Sequence, residues 1–309
     1  MLIDGIILLD KPTGITSNTA LQKTKRLLKA DKAGHTGCLD PLATGMLPIC
    51  LGEATKFSRF FIEEDKRYSV EARLGITTTT GDAEGDILSE KPVPDFGTEE
   101  IIQAISRFLG TQTQIPPMYS AVKHNGKRLY KLARRGIEIE RKERTIAIHE
   151  FTLGEHDKER LVMTVTCSKG TYIRTLVEDL GNFLGTGAYV TKLHRLWVAP
   201  FQTYPMVSLD KLSNQDNLVD KHLIAIPDIL NKILPAITLP PADATKFCRG
   251  QVVSVHVGNL PSPVMLFDTA GQFMGIGEIA DNLLTVMRLL STAAVAAANP
   301  PKSTQVVCS

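Results

Sequence analysis

Cysteine is scarce and unpatterned in this chain of 309 residues: Cys38, Cys50, Cys167, Cys248 and Cys308 are odd in number and form no CxxC pair. Neither a disulfide framework nor a zinc ribbon is indicated, and buried or incidental thiols are the expectation. Net charge is also small. At +2 overall, nucleic-acid binding cannot be read from the total and has to be sought in local clusters. Long apolar runs are missing as well. Asp4 and Asp10 interrupt the first one, so no secretory pattern is present, and no stretch approaches a membrane span. A cytoplasmic protein with no membrane partner is expected. What is present is ordinary globular material, 43% hydrophobic and 22% charged, in a length suited to one large domain and a smaller one.

The densest unusual chemistry lies at residues 34–49, GHTGCLDPLATGMLPI, where glycines and prolines surround one imidazole, His35, and one carboxylate, Asp40. It reads as a loop built around Asp40. Gly34, Gly37 and Gly45 allow positive φ or close backbone approach, and Pro41 fixes the residue after the carboxylate. With a single carboxylate and a single histidine, neither the acid pair of a glycosidase nor a metal site is evident. Two readings stand: a nucleophilic or electrostatic aspartate, and a turn whose aspartate caps the backbone.

This stretch resembles the active-site motif of the TruB family of pseudouridine synthases, a Gly-His-Thr-Gly run leading through Leu, Asp and Pro to LATG, with Cys38 at its variable position. The resemblance implies that Asp40 is catalytic and that His35 fills the space left by a flipped base. KPTGITS at 11–17 resembles the first family motif, in which Lys11 and Pro12 support the active-site loop. By the same resemblance Tyr68 stacks on the target base and is the candidate to remove a proton, Arg174 pairs with Asp40, and Leu193 lines the base pocket. Asp82 falls at a motif aspartate of the cleft, and we group Lys11 and Asp82 with the substrate-binding residues. A neighbouring guanidinium is expected to lower the Asp40 pKa by about 1 to 3 units.

Periodicity supplies the frame. Strands are expected at 5–9, 46–51, 66–74, 145–153, 161–167 and 188–198, with helices near 17–29, 54–62, 98–109 and from 173. Ser17 or Asn18 is the expected cap of the first helix, Leu21, Leu27 and Leu28 its apolar face, and 77–86 a loop. Lys23, Lys25, Arg26 and Lys29 decorate that helix, as a solvated face or as phosphate contacts.

Residues 115–144 are rich in Lys and Arg with Tyr119 and Tyr130 interleaved, a composition suited to phosphate contact and base stacking. They resemble the family's thumb, and Lys123, Lys127, Arg128, Arg134 and Arg135 are its candidate RNA contacts. From about 234 the sequence turns to short strands at 252–257, 264–267, 273–278 and 285–289, resembling a PUA-like RNA-binding β-barrel, followed by a loose tail at 292–309.

The expectation is an α+β protein. A mixed, largely antiparallel sheet flanked by helices, the pseudouridine synthase fold, spans 1–233, and the PUA-like barrel spans 234–291. The implied activity is isomerisation of uridine 55 in the T-arm loop of tRNA by base flipping, with Asp40 attacking the base or the sugar. No cofactor, metal or guide RNA is expected, and the chain is expected to act as a monomer. An RNA-binding, tRNA-folding chaperone of the same fold, with or without turnover, is the alternative.

Overall fold

The computed structural model describes residues 3–214 and 221–291. β1 (Gly5–Lys11) is buried at every position but Asp10, as its GIILLDK run requires of a strand covered on both faces. After α1 (Ser17–Leu27) and β2 (Ala33–His35) comes β3 (Thr44–Leu51), buried from Gly45 onward. One edge of β3 pairs antiparallel with β1, Lys11 opposite Gly45. Its other edge is divided, with β2 beside its end, His35 opposite Ile49, and a later strand beside its start. The loop 36–43 therefore leaves the sheet where β3 changes partner.

A 3₁₀ turn (Gly52–Phe57) and α2 (Arg59–Ile62) lead to β4 (Lys66–Leu74) and the small hairpin of β5 (Ile76–Thr78) and β6 (Ile87–Glu90). Then follow α3 (Thr98–Ser106), β7 (Gly110–Gln114), the hairpin of β8 (Lys123–His124) and β9 (Lys127–Arg128), and α4 (Leu129–Ala133). The long hairpin of β10 (Arg144–His156) and β11 (Arg160–Cys167) precedes α5 (Ile173–Phe183) and β12 (Ala188–Val198). β13 (Val207–Ser208), α6 (Leu209–Asn214) and α7 (Ile226–Leu230) close this part. Among the described residues the main sheet has nine strands, ordered β13-β1-β3-β12-β4-β11-β10-β7 with β2 added on β3. Its β1–β13 and β3–β12 pairings are parallel and the rest antiparallel, the mixed sheet expected.

β1 and β3 divide two cores between them. Ile7, Leu9, Leu47 and Ile49 join Leu176, Val177 and Leu180 of α5 on one side. Ile6, Leu8, Met46 and Cys50 face the other way, onto Phe57, Phe61 and Ile229. That second core is completed by the C-terminal part. There β14 (Ala236–Thr238), α8 (Pro241–Cys248), β15 (Val253–Ser254), β16 (Val264–Phe267), β17 (Phe273–Ala280) and β18 (Leu283–Leu289) form a five-stranded sheet ordered β14-β16-β17-β18-β15. Met265, Phe273 and Ile276 enter the second core, and the Phe57 and Phe273 rings lie 5.8 Å apart. Outside the core, Lys56 Nζ donates to the Leu289 carbonyl at 2.9 Å, and Glu53 accepts the Ser291 N–H at 2.6 Å.

Several local expectations are corrected. Thr16, not Ser17 or Asn18, caps α1, accepting the Thr19 N–H at 3.0 Å; the Ser17 hydroxyl is turned to another task. Leu27 is 39% exposed, off the apolar face. The 54–62 helix is a 3₁₀ turn followed by one α-turn, and the start of 77–86 belongs to β5. β14 and α8 escaped notice because Pro240 and Pro241 read as loop, although proline suits the first helical position, where no N–H is needed. The tail at 292–309 lies outside the described residues.

Because Phe57 is fully buried between the two parts, Phe57→Ala should cost about 3–5 kcal/mol. Both parts should then melt earlier in one calorimetric transition. Two separate transitions, with only one displaced, would show that the core is not shared.

Candidate active site

The 36–43 loop is held from below by the segment after β1. Lys11, fully buried, donates through Nζ to the carbonyls of Pro12 at 2.9 Å, Ile15 at 2.8 Å and Pro41 at 3.2 Å. Thr13 Oγ1 donates to the Leu42 carbonyl at 3.0 Å and the Gly14 N–H to that of Pro41 at 2.9 Å. Ser17 closes the cradle, its hydroxyl accepting the Leu39 N–H at 2.7 Å and donating to the Leu39 carbonyl at 3.0 Å. Burial pulls the Lys11 pKa down to about 8 against the attraction of Asp40. Asp82 is likewise buried, 3% exposed.

Glycine is required at two points of the loop. Gly37 has φ +100°, and at Gly45, φ +97°, an added Cβ would meet the Arg195 carbonyl oxygen at 2.3 Å. Gly34 needs neither freedom: its φ is not positive and a Cβ there would come no closer than 3.9 Å to the Thr55 methyl.

Asp40 projects from the loop with its side chain 38% exposed, and Arg174 Nε reaches its Oδ2 at 2.9 Å. The rest of that guanidinium is spent on backbone: Nη1 donates to the Thr80 carbonyl at 2.7 Å and Nη2 to that of Tyr119 at 2.9 Å. Asp82 Oδ2 lies 3.6 Å from the same Nε, and Asp82 Oδ1 accepts from the Thr80 hydroxyl and from the Glu84 N–H at 3.1 Å. The ion pair alone would depress the Asp40 pKa, yet its direction is upward. Desolvation by the surrounding protein outweighs the opposing Arg174 charge, with Asp82 adding to the rise. Glu178, one helical turn beyond Arg174, is pushed up to about 7, mainly by burial.

Tyr68 in β4 is 7% exposed and sits opposite Arg195 of β12. Burial raises its pKa. Leu193, two residues before Arg195, is 7% exposed and joins Tyr68 in the same core. His35 is half-buried in β2; burial and the charges of Arg195 and Arg128 lower its pKa.

Sequence reasoning passed over Arg195. It is 1% exposed and lies behind the loop, where Nε donates to the Met46 carbonyl at 2.6 Å, while Nη1 and Nη2 donate to those of Cys38 and Gly37, each at 3.4 Å. The signal was available: in a strand with period two, Arg195 shares the inward phase of Leu193.

The basic segment stands apart from this cluster. Lys123, Lys127, Arg128, Arg134 and Arg135 are all exposed, on the β8–β9 hairpin and at the end of α4. Arg128 lies near enough to the loop to act on His35 and Cys38, and Arg134 stacks over Tyr130 at 5.6 Å. Among the described residues no group of three or more His, Cys, Asp or Glu could hold a metal ion, and no helix is long and apolar enough to cross a membrane.

Residues 25–173 match the family model of the TruB family pseudouridylate synthase N-terminal domain. Residues 174–236 match that of the tRNA pseudouridylate synthase B C-terminal domain, and 235–290 that of pseudouridine synthase II TruB, C-terminal. A Nitrosococcus oceani protein named tRNA pseudouridine synthase B is 50% identical over 288 residues, 91% of this chain and 92% of that one. One of the same name from Coxiella burnetii is 48% identical over 293 residues, 93% and 94% of the two chains. The crystal structure of a Cbf5-Nop10-Gar1 complex aligns with TM-score 0.71 at 23% identity, over 92% of this chain and 84% of that one. At that identity the likeness speaks to the fold.

Lys11→Met keeps the apolar stem and strands three carbonyls, each costing about 1–3 kcal/mol where it is not rehydrated. The expected outcome is a lower Tm with faster amide exchange across 36–43. Unchanged exchange in that loop would show that Lys11 does not hold it.

Proposed function

The chain belongs to the TruB family of pseudouridylate synthases and is a tRNA pseudouridine synthase; we propose that it acts on uridine 55 of the T-arm loop, with Asp40 as nucleophile. The net reaction breaks the bond from ribose C1′ to uracil N1 and makes one from C1′ to C5, with no atoms gained or lost. The observation that carries the residue roles is the Arg174–Asp40 pair at 2.9 Å, placed at the mouth of a loop anchored from two sides.

A stacked uridine is beyond the reach of Asp40, so the base is extruded into the cleft, as base-modifying enzymes require. His35, at the rim, takes the vacated place in the RNA loop. Tyr68 and Leu193 form the wall against which the uracil packs, with Arg195 opposite Tyr68 in the paired strand. Arg195 is a positioning residue, holding the loop through the carbonyls of Gly37, Cys38 and Met46. Arg174 limits the upward shift of Asp40 and keeps the carboxylate aimed outward, while Lys11 and Asp82 support the loop and the guanidinium. The β8–β9 hairpin and α4 bring Lys123, Lys127, Arg128, Arg134 and Arg135 to the RNA backbone, an arrangement suited to gripping a T arm without a guide RNA. The segment 234–291 is a second RNA-binding part on a catalytic part spanning 1–233.

Incubation with an unmodified tRNA transcript and site-resolved detection of pseudouridine tests the reading directly. Asp40→Asn should abolish product by several orders of magnitude while RNA binding persists. Modification at another position, or multiple turnover by the Asn variant, would overturn the assignment.

An ionised Asp40 is required, so kcat/KM should rise with pH through an apparent pKa above the ordinary carboxylate range. Arg174 is the largest influence holding that pKa down, so Arg174→Met should move the acid limb to still higher pH as well as lower the plateau. An acid limb that stays in place would separate Arg174 from Asp40 in function.

A further inference from the structure

Five cations near the site have no partner and no role in the chemistry. Lys23, Arg26, Lys29 and Lys32 are exposed and Lys25 is half-buried, and no ion pair among the described residues neutralises any of them. Asp31 is the lone acid between residues 11 and 39. At 3.6 residues per turn, the buried Ala20, Leu21 and Thr24 share an arc of roughly 100°, and Lys25, Arg26 and Lys23 fill one of roughly 160° opposite. Lys29 and Lys32 continue it towards β2. Favourable placement at the C-terminal end of the helix dipole accounts for Lys25 and Arg26 alone.

The arc is fixed to the active site at both ends. Ser17, at the start of α1, holds the Leu39 backbone, so residues 23–26 stand about 9–14 Å along the helix from that anchor. Lys32 precedes His35 by three residues, and His35 also feels Arg128 of the β8–β9 hairpin. Positive charge thus runs from that hairpin past His35 and Lys32 onto α1. A nucleotide extruded towards Asp40 brings its flanking strands to this rim, and the paired stem behind them must cross the protein surface. The apolar side of α1 is already spent on the core, which leaves Leu27 as the one exposed aliphatic of the helix and gives a lipid surface little to hold.

We propose that the solvent-facing arc of α1, with Lys32, is a second RNA-contact surface that takes phosphates of the base-paired stem leading into the target loop; this rests on the reading of the chain as a tRNA pseudouridine synthase. It supplies affinity and register for the stem and takes no part in bond making.

The test is the triple variant Lys23→Gln, Arg26→Gln, Lys29→Gln, since glutamine preserves helix propensity. It is assayed on two RNAs, a T-arm stem-loop with its full stem and the same loop on a minimal closing stem. With the full stem, the slope of log K against log salt should shrink by about 0.9 for each lost duplex contact, two to three in all. KM should rise about tenfold with kcat unchanged, because two or three lost phosphate contacts weaken binding by at least that much at moderate salt. With the minimal stem, variant and wild type should be alike. An unchanged slope on the full stem, an equal loss on both RNAs, or a loss confined to anionic vesicles would overturn the proposal. If the wild-type protein bound the stem-loop with this salt dependence yet made no pseudouridine, the functional reading would fail and this surface would stand.

Discussion

One guanidinium ties together three pieces of chain that have no other reason to meet. Arg174 sits in the first turn of α5 and is almost fully buried, with each of its three nitrogens directed to a different segment: the Asp40 loop, the turn after β5 through Thr80, and the base of the basic segment through Tyr119. A planar fork is needed for this. A lysine at the same place offers a single donor atom, whereas these acceptors diverge around three separate nitrogens of the fork. The carboxylate, the turn after β5 and the start of the basic segment are therefore positioned by the same group, and the precision of the site is that of one helix packed on the sheet through Ile173, Leu176, Val177 and Leu180.

Below the loop the electrostatics are unusual. Lys11 and Arg195 are both buried, and their hydrogen bonds run to backbone carbonyls instead of carboxylates. Carbonyl dipoles fixed by the fold solvate these cations, and the loop that provides them is held in return. Such an arrangement leaves the positive charge uncancelled beneath Asp40, and the same field that bears on His35, Cys38 and Tyr68 is felt by any polyanion approaching the cleft.

The strands were legible because their sequences carry the period of a sheet: 66–74 and 188–198 agree with β4 and β12 to the residue. The mixed sheet, the Asp40 loop and the nearness of Arg174 to Asp40 could be expected from motif resemblance, since those residues lie far apart in sequence. What was illegible depended on three-dimensional partners. The choice of Thr16 over Ser17 as cap follows from Leu39 claiming the Ser17 hydroxyl, which no local pattern encodes. The net upward shift of Asp40 depends on how much protein surrounds it, whereas the expectation considered only its charged neighbour. Arg195 was passed over because its acceptors, the carbonyls of Gly37, Cys38 and Met46, lie on a distant stretch of chain that no local pattern links to it.

The second core has an implication for how the protein is made. Two of its contributors, Ile6 and Leu8, are synthesised long before two others, Phe273 and Ile276. At elongation rates of about 5–20 residues per second, the rear faces of β1 and β3 wait tens of seconds for those strands. Until the final strands dock, the nascent chain carries a bare aliphatic and aromatic surface that includes Phe57 and Phe61. Closure of this layer waits for the last of its strands, so shielding of that surface during synthesis favours the folded protein.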